Sequence, residues 1–312
     1  MQALGGTLVV DVTRDLPGAF ASSELRRLGA RVVRVERPGG DPMRQTARDW
    51  HDALNAGKES IVCDLPADVE LAHALLGRAD VVLESFRPGV AARLGIGPDD
   101  APARTVYCSI TGFGLGGEHE QRAGHDLNYV GFAGLLETTA PALPPVQAAD
   151  LAAGALGAVT DVLAALLERE RTGEGARLVI SMTHGAHRLL PGTAVLTEGF
   201  ACYSIYDCAD GRRLTVAALE PKFFARLCEL AGRPELEARQ YEADQPSLRA
   251  ELADVFSTRS LEDWLQVFGG EDVCVGPVAT RAEAARTFGR PPQEAAPELG
   301  AHTAAWREEL GL

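Results

Sequence analysis

An imidazole and a carboxylate stand at two consecutive helix starts in this sequence. His125 lies in Gly124-His125-Asp126-Leu127-Asn128-Tyr129, between a glycine-permitted bend and a helix beginning. Asp150 lies in Ala149-Asp150-Leu151-Ala152, at the head of the longest helical pattern in the chain. Each has a structural reading. An Asp before a helix accepts from orphan N–H groups and complements the helix dipole, and most lone histidines are surface or satisfied-core residues. Neither role excludes chemistry. A carboxylate at a helix start stays ionised and can accept a proton, and an imidazole suits proton transfer near neutrality. Two such groups converging on one small volume could move a proton on and off a carbon. Glu220, in Ala217-Ala218-Leu219-Glu220-Pro221, is a third candidate, whose structural reading is a dipole-favoured acid in a first helical turn.

The elements that would hold these groups follow from hydrophobic patterning. Leu8 to Val12 is a β-rich run ending in a polar turn with Pro17-Gly18. Ala19 to Leu28 has helical spacing and stops at Gly29, and Arg31 to Glu36 is a second strand. The unit repeats through strands at Ser60 to Cys63, Val81 to Glu84 and Thr105 to Ile110, with helices at Val69 to Leu76 and Val90 to Leu94. Alternation of this kind predicts an α/β fold: a large, doubly wound, Rossmann-like parallel sheet whose ligands sit past the carboxyl ends of its strands. Asp150 to Arg171 is a long amphipathic helix stopped by Gly173, and Arg177 to Ile180 a further strand. A smaller α+β domain begins near Ala201. It has a hairpin of Tyr203–Tyr206 and Leu214–Ala217 around Asp210-Gly211, then helices at Pro221–Leu230, Leu248–Phe256 and Ser260–Phe268. Val273 to Val278 looks extended, and the polar tail from Pro292 carries a short helix at Thr303 to Leu310. The expected division is 1–185 with 287–312 as the large domain, 186–200 as a linker and 201–286 as the small domain.

The chain has 312 residues and a net charge of −14. That charge argues against sequence-independent binding to nucleic acid or anionic membranes, and any anionic ligand needs a local arginine cluster. Arg34, Arg37, Arg87, Arg93 and Arg104 fall at expected strand ends or turns, where a guanidinium could hold phosphate. The six cysteines form no C-x-x-C, and no Cys/His cluster has zinc spacing, so free thiols, no metal and a cytoplasmic location are expected. No signal sequence is visible, and no run approaches ~18 consecutive apolar residues. Gly112-Phe113-Gly114-Leu115-Gly116-Gly117 lacks dinucleotide spacing and reads as a loop, which disfavours a nicotinamide enzyme.

Several segments together resemble the class III CoA-transferase family (CaiB/BaiF type), and within it the α-methylacyl-CoA racemases. They are Asp11 to Phe20, Leu28 to Pro38, Asn55 to Ser60, Ser85 to Val90, Ile110 to Gly114, Gly124 to Tyr129, Ala217 to Phe223 and Leu299 to Thr303, nearly the whole chain. The resemblance implies a racemase or epimerase of 2-methyl-branched acyl-CoA thioesters. His125 and Asp150 would be its acid/base pair and Glu220 would support His125. It implies that Arg37, Arg87 and Cys63-Asp64-Leu65 line a CoA site, with Val82, Leu83, Gly124 and Tyr129 beside them. Coenzyme A would enter as part of the substrate, with no redox or metal cofactor. An interlocked homodimer with its active site between subunits is the implied assembly. In the family's transferases the residue matching Asp150 is instead a nucleophile that forms an acyl-enzyme. A CoA-transferase and a non-catalytic CoA-binding member are therefore the alternative readings. The chain departs from the racemases in a shorter segment between Ala186 and Ala201. It also has Val146 where they carry Asn, and Met43 and Met182 are its only internal methionines.

Overall fold

The valine- and leucine-rich runs form six parallel strands in the computed structural model, which describes residues 2–65, 67–190, 192–197, 199–289 and 294–312. They are β1 (Leu8–Asp11), β2 (Arg31–Glu36), β3 (Glu59–Val62), β4 (Val81–Glu84), β5 (Val106–Thr111) and β6 (Arg177–Ser181). Their order is β3-β2-β1-β4-β5-β6. Strand order reverses between β1 and β4, the place where open α/β sheets leave a crevice beyond the strand ends. The central strands β1 and β4 are apolar up to their last residue because both faces are covered. Val9, Val10, Val33, Val81, Val82, Leu83 and Val106 have no exposed surface, each worth roughly 1.5–3 kcal/mol of burial.

The helices of this unit are α1 (Asp15–Arg27), α2 (Met43–Thr46), α3 (Arg48–Asn55), α4 (Val69–Arg78), α5 (Val90–Arg93) and α6 (Asp126–Phe132). After them come a π-helical segment (Ala148–Leu156), α7 (Gly157–Thr172) and α8 (Met182–His187). One sheet face packs on α1, the π segment and α7 through Leu25, Ala155, Val159 and Val162. The other packs on α4 through Leu71, Leu75 and Leu76, and on Trp306 from the C-terminal helix. With the π segment, α7 makes a continuous helix from Ala148 to Thr172. Among the described residues it alone is long and apolar enough, by length and composition, to cross a membrane; its buried stripe lies against β5 and β6.

Three local differences from expectation have physical reasons. α1 begins at Asp15, four residues early, so Pro17 and Gly18 lie inside it. Pro17 is in the first turn, where its missing N–H costs nothing, and a Cβ on Gly18 would lie 2.0 Å from Thr13 Oγ1. α2 and α3 were not expected. Their polar stretch is ordered by buried anchors, with Asn55 donating to His51 O and accepting from Lys58 Nζ. The long helix begins as nine π residues rather than α. Gly154 and Gly185 let α8 come close there: a Cβ on Gly154 would lie 2.9 Å from Met182 Cγ, and one on Gly185 2.7 Å from Ala153 Cβ.

The chain divides into two compact units, Met1–Leu190 with Pro291–Leu312, and Pro191–Arg290. α8 therefore carries the first unit past residue 185, and 186–190 stay with it rather than serving as linker. Pro292, where the polar tail was expected to start, lies outside the described residues, as do 191, 198, 290, 291 and 293. The second unit has its own antiparallel sheet of β7 (Tyr203–Asp207), β8 (Arg213–Ala217) and β9 (Val275–Pro277). α9 (Pro221–Leu230), α10 (Gln245–Phe256), α11 (Leu261–Phe268) and α12 (Arg281–Phe288) complete it. Phe224, Leu252, Phe256 and Trp264 fill its core. α13 (Thr303–Leu310) belongs to the first unit, where Trp306 Nε1 donates to Glu59 at 2.6 Å.

Candidate active site

Two cavities open at the carboxyl ends of the parallel strands, and both are built wholly from first-unit residues. The first, of about 380 Å³, lies over β1 to β3 and is walled by Thr13, Arg34, Glu36, Arg37, Cys63, Asp64 and Leu65. The second, of about 650 Å³, is walled by Asp15, Arg87, Arg122, Gly124, His125, Tyr129, Asp150 and Met182. Arg14 and Phe86 belong to both walls, with the Arg14 guanidinium 5.2 Å from the Phe86 ring centre.

His125 and Asp150 thus border one cavity. His125 is the extended N-cap residue of α6, and its N–H donates to Asn128 Oδ1 at 3.1 Å. That pairing fixes the backbone and leaves the imidazole exposed. Asp150 is the third residue of the π segment, whose N-cap is Gln147, so the expected capping role is corrected. Its N–H donates to the buried Asp126 carboxylate at 2.9 Å. That N–H is consequently not available to an enolate oxygen. The Asp150 carboxyl is not held ionised as a cap would be. Burial, then the neighbouring Asp126 and Asp15 carboxylates, push it up to about 7. Tyr129 is clasped between two glycines. Its hydroxyl donates to Gly124 O at 2.5 Å, and a Cβ on Gly112 or Gly124 would lie 2.6 or 2.8 Å from Tyr129 Cε1. Burial, then Asp150, raises the phenol further; Arg87 opposes both.

The residues assigned by resemblance to one CoA site divide between the cavities. Arg37, Cys63, Asp64 and Leu65 line the first; Arg87, Gly124 and Tyr129 line the second. Val82 and Leu83 line neither. They are fully buried in the middle of β4, where parallel pairing on both sides leaves no path to a ligand. Among the other arginines, Arg34 is committed to Asp11 at 2.9 Å and Asp41 at 2.5 Å, and is itself buried. Arg104 precedes β5 and pairs with Asp80 at the amino edge of the sheet, the wrong end for a ligand. Arg93 lies on α5 and borders neither cavity. Arg14, Arg37, Arg87 and Arg122 are exposed on the two walls and, among the described residues, none is in an ion pair. These four guanidiniums, without ion-pair partners in a chain of net charge −14, are the groups on the two walls that could hold an anion.

Arg14, Asp15, Phe86, Glu120, Arg122 and Asn128 also line the second cavity, and the sequence reading had not picked them out. Arg14-Asp15 had looked like part of a turn, and the available signal was Pro17, which marks a first helical turn. Glu220 belongs to the second unit. It is the exposed N-cap of α9, ahead of Pro221, and its carbonyl accepts from Phe223 and Phe224 N–H.

Residues 4–296 match the family model described as CoA-transferase family III. The chain belongs to CoA-transferase family III. Human alpha-methylacyl-CoA racemase is 35% identical over 309 residues, 90% of this chain and 79% of that protein. Mouse succinyl-CoA:glutarate CoA-transferase is 32% identical over 318 residues, 89% of this chain and 72% of that protein. The crystal structure of Rv3272 from Mycobacterium tuberculosis superposes with a TM-score of 0.86 at 29% identity, covering 98% of this chain and 99% of that one. The family III fold therefore spans nearly the whole chain, and both isomerases and transferases occur among its relatives.

Proposed function

We propose that this family III protein racemises 2-methyl-branched acyl-CoA thioesters, removing the α-proton on one face and returning it on the other through an enolate. The observation that carries this reading is the shared cavity of His125 and Asp150, with the Asp150 carboxyl brought to about 7. Near neutrality such a carboxyl is part acid and part base, the condition for a group that must donate in one direction and accept in the other. His125 acts on one face and Asp150 on the other. The guanidiniums of Arg14, Arg87 and Arg122 on the same wall favour the anionic intermediate. Arg37 and Arg14 on the first cavity suit the phosphates of a CoA moiety. The homodimer expected from the family is part of this proposal, as is Glu220 as a supporting carboxylate.

Exchange of the α-proton in deuterated water, measured for each enantiomer of a 2-methylacyl-CoA, tests the reading. The wild type is expected to exchange and racemise both. His125→Ala and Asp150→Asn each lose racemisation by roughly 10²–10⁴-fold, while one-sided exchange can survive in a single variant. Full-rate racemisation by His125→Ala overturns the assignment. The transferase relatives favour a second reading, in which Asp150 attacks the thioester. A covalent acyl or CoA adduct on Asp150, seen as added mass and released by hydroxylamine, would establish that reading instead.

A further inference from the structure

Asp15 combines three features. It has a left-handed backbone, φ 62°, and Cys274 is the only other non-glycine residue with positive φ among those described. It borders the cavity of His125 and Asp150. Among the described residues its carboxylate makes no hydrogen bond and no ion pair, although Arg14, Arg87 and Arg122 line the same cavity.

The backbone around it is over-determined. Arg14 N–H donates to Ser85 Oγ at 2.9 Å, and that hydroxyl donates back to Arg14 O at 3.2 Å. Thr13 N–H and Oγ1 both donate to Asp11 Oδ1, at 3.0 and 2.5 Å. One residue on, Leu16 is buried in a small cluster that Leu151 packs against. Residues 13 to 16 are thus pinned on both sides, which is how a costly backbone conformation persists. The same packing brings α1 against the π segment, and residues 15 and 150 border one cavity.

We propose that Asp15 is a positioning residue that acts through Asp150 rather than on the substrate, setting which of the two site groups holds the proton before reaction. A carboxylate beside Asp150 favours the acid form of that group and leaves proton removal from one enantiomer to His125. The charged and titratable groups that face Asp150 are Asp126, His125 and Tyr129 from α6, and Glu120 and Arg122 from the preceding loop. Arg87 after β4 and Arg14 with Asp15 from α1 complete the set. Among the described residues, Asp15 is the one of these carboxylates that both lacks a direct hydrogen-bond or ion-pair partner and stands on a pinned backbone. The catalytic consequence rests on the racemase reading; the effect on Asp150 does not.

The test follows the aspartate carboxyls by carbon-13 NMR as pH is varied, with the Asp150 signal assigned by its loss in Asp150→Asn. Asp15→Asn keeps a residue that tolerates the left-handed backbone, and Asp15→Gly relieves that conformation altogether. In both, the Asp150 midpoint is expected to fall by roughly 0.5–1 pH unit. The alkaline fall of α-proton exchange moves down with it, and KM changes less than about twofold. An unmoved midpoint overturns the proposal. So does a raised KM with an unchanged pH profile, which would place Asp15 on the substrate. A shifted midpoint in a protein that exchanges no α-proton would uphold the proposal and refute the racemase reading. Exchange with an unshifted midpoint would do the reverse.

Discussion

Replacing Asp150 by Asn should make the protein inactive and, above neutrality, more stable. In the folded chain this carboxyl is pushed up to about 7 from an ordinary 3.8. Between those values the native state holds a proton that the unfolded chain has released. Stability therefore falls as pH rises through that window, by up to about 1.4 kcal/mol per pH unit, and the loss is complete above pH 7. The accumulated cost is about 4 kcal/mol, or roughly half that where water reaches the partly exposed carboxyl. Asn has the same shape and cannot ionise. No hydrogen bond to the Asp150 carboxyl oxygens occurs among the described residues, so the exchange breaks none of them. The measurement is urea unfolding of both proteins from pH 6 to 8.5, clear of the isoelectric point near 5.0. The variant's advantage should widen by up to about 1.4 kcal/mol across that range. A pH-independent difference, or a variant less stable at pH 8.5, would show that the carboxyl is not held near neutrality by its surroundings.

Lys58 predicts an opposite slope at higher pH. It is buried, donates to Ala19 O, Ser22 Oγ and Asn55 Oδ1, and burial brings it down to about 7 from 10.5. Between those values the unfolded chain binds the extra proton, so wild-type stability should rise with pH by up to about 1.4 kcal/mol per unit. Lys58→Met should lose that slope in urea unfolding from pH 7 to 9.5. Gly112→Ala puts a methyl 2.6 Å from the Tyr129 ring and should cost about 1–3 kcal/mol. In a Tyr129→Ala background the penalty should disappear, and its persistence would mean the ring is not what the glycine accommodates. Glu220→Gln should lower kcat for racemisation more than it raises KM; an unchanged kcat would leave Glu220 with only its N-cap position on α9.

The sheet was legible because parallel strands covered on both faces must be apolar along their length. Val81-Val82-Leu83 and Val32-Val33 declare themselves, whereas the order of the strands depends on long-range pairing that no local run encodes. The site was legible in part for the same reason. His125 and Asp150 stand at segment starts, and a Rossmann-like sheet delivers such starts to one edge. Burial was not legible. Arg34 reads like any strand-end arginine until Asp11 and Asp41 are folded around it, and Val82 and Leu83 read as neighbours of a ligand until both flanks of β4 are paired. The π turns leave no mark, since Ala148 to Leu156 carries an apolar pattern equally at home in an α-helix.

Several exceptions to local rules meet in the second cavity. A non-glycine residue in left-handed backbone, a π segment, and a half-buried acid beside two others are each unfavourable taken singly. They arise on different elements, α1 and the long helix, yet Asp15 and Asp150 both border the cavity that holds His125. The first cavity, at the same strand ends, shows no such cost: its buried acids Asp41 and Glu36 are matched by Arg34 and Arg44. A surface that only bound CoA would need the matched kind of wall, with exposed arginines to spare. Carboxylates crowded until one of them holds a proton at neutral pH serve little in binding a polyanion, and would oppose it. They do serve a reaction in which a proton must be both given and taken, and so the second cavity, more than the first, separates a catalyst from a carrier within this fold.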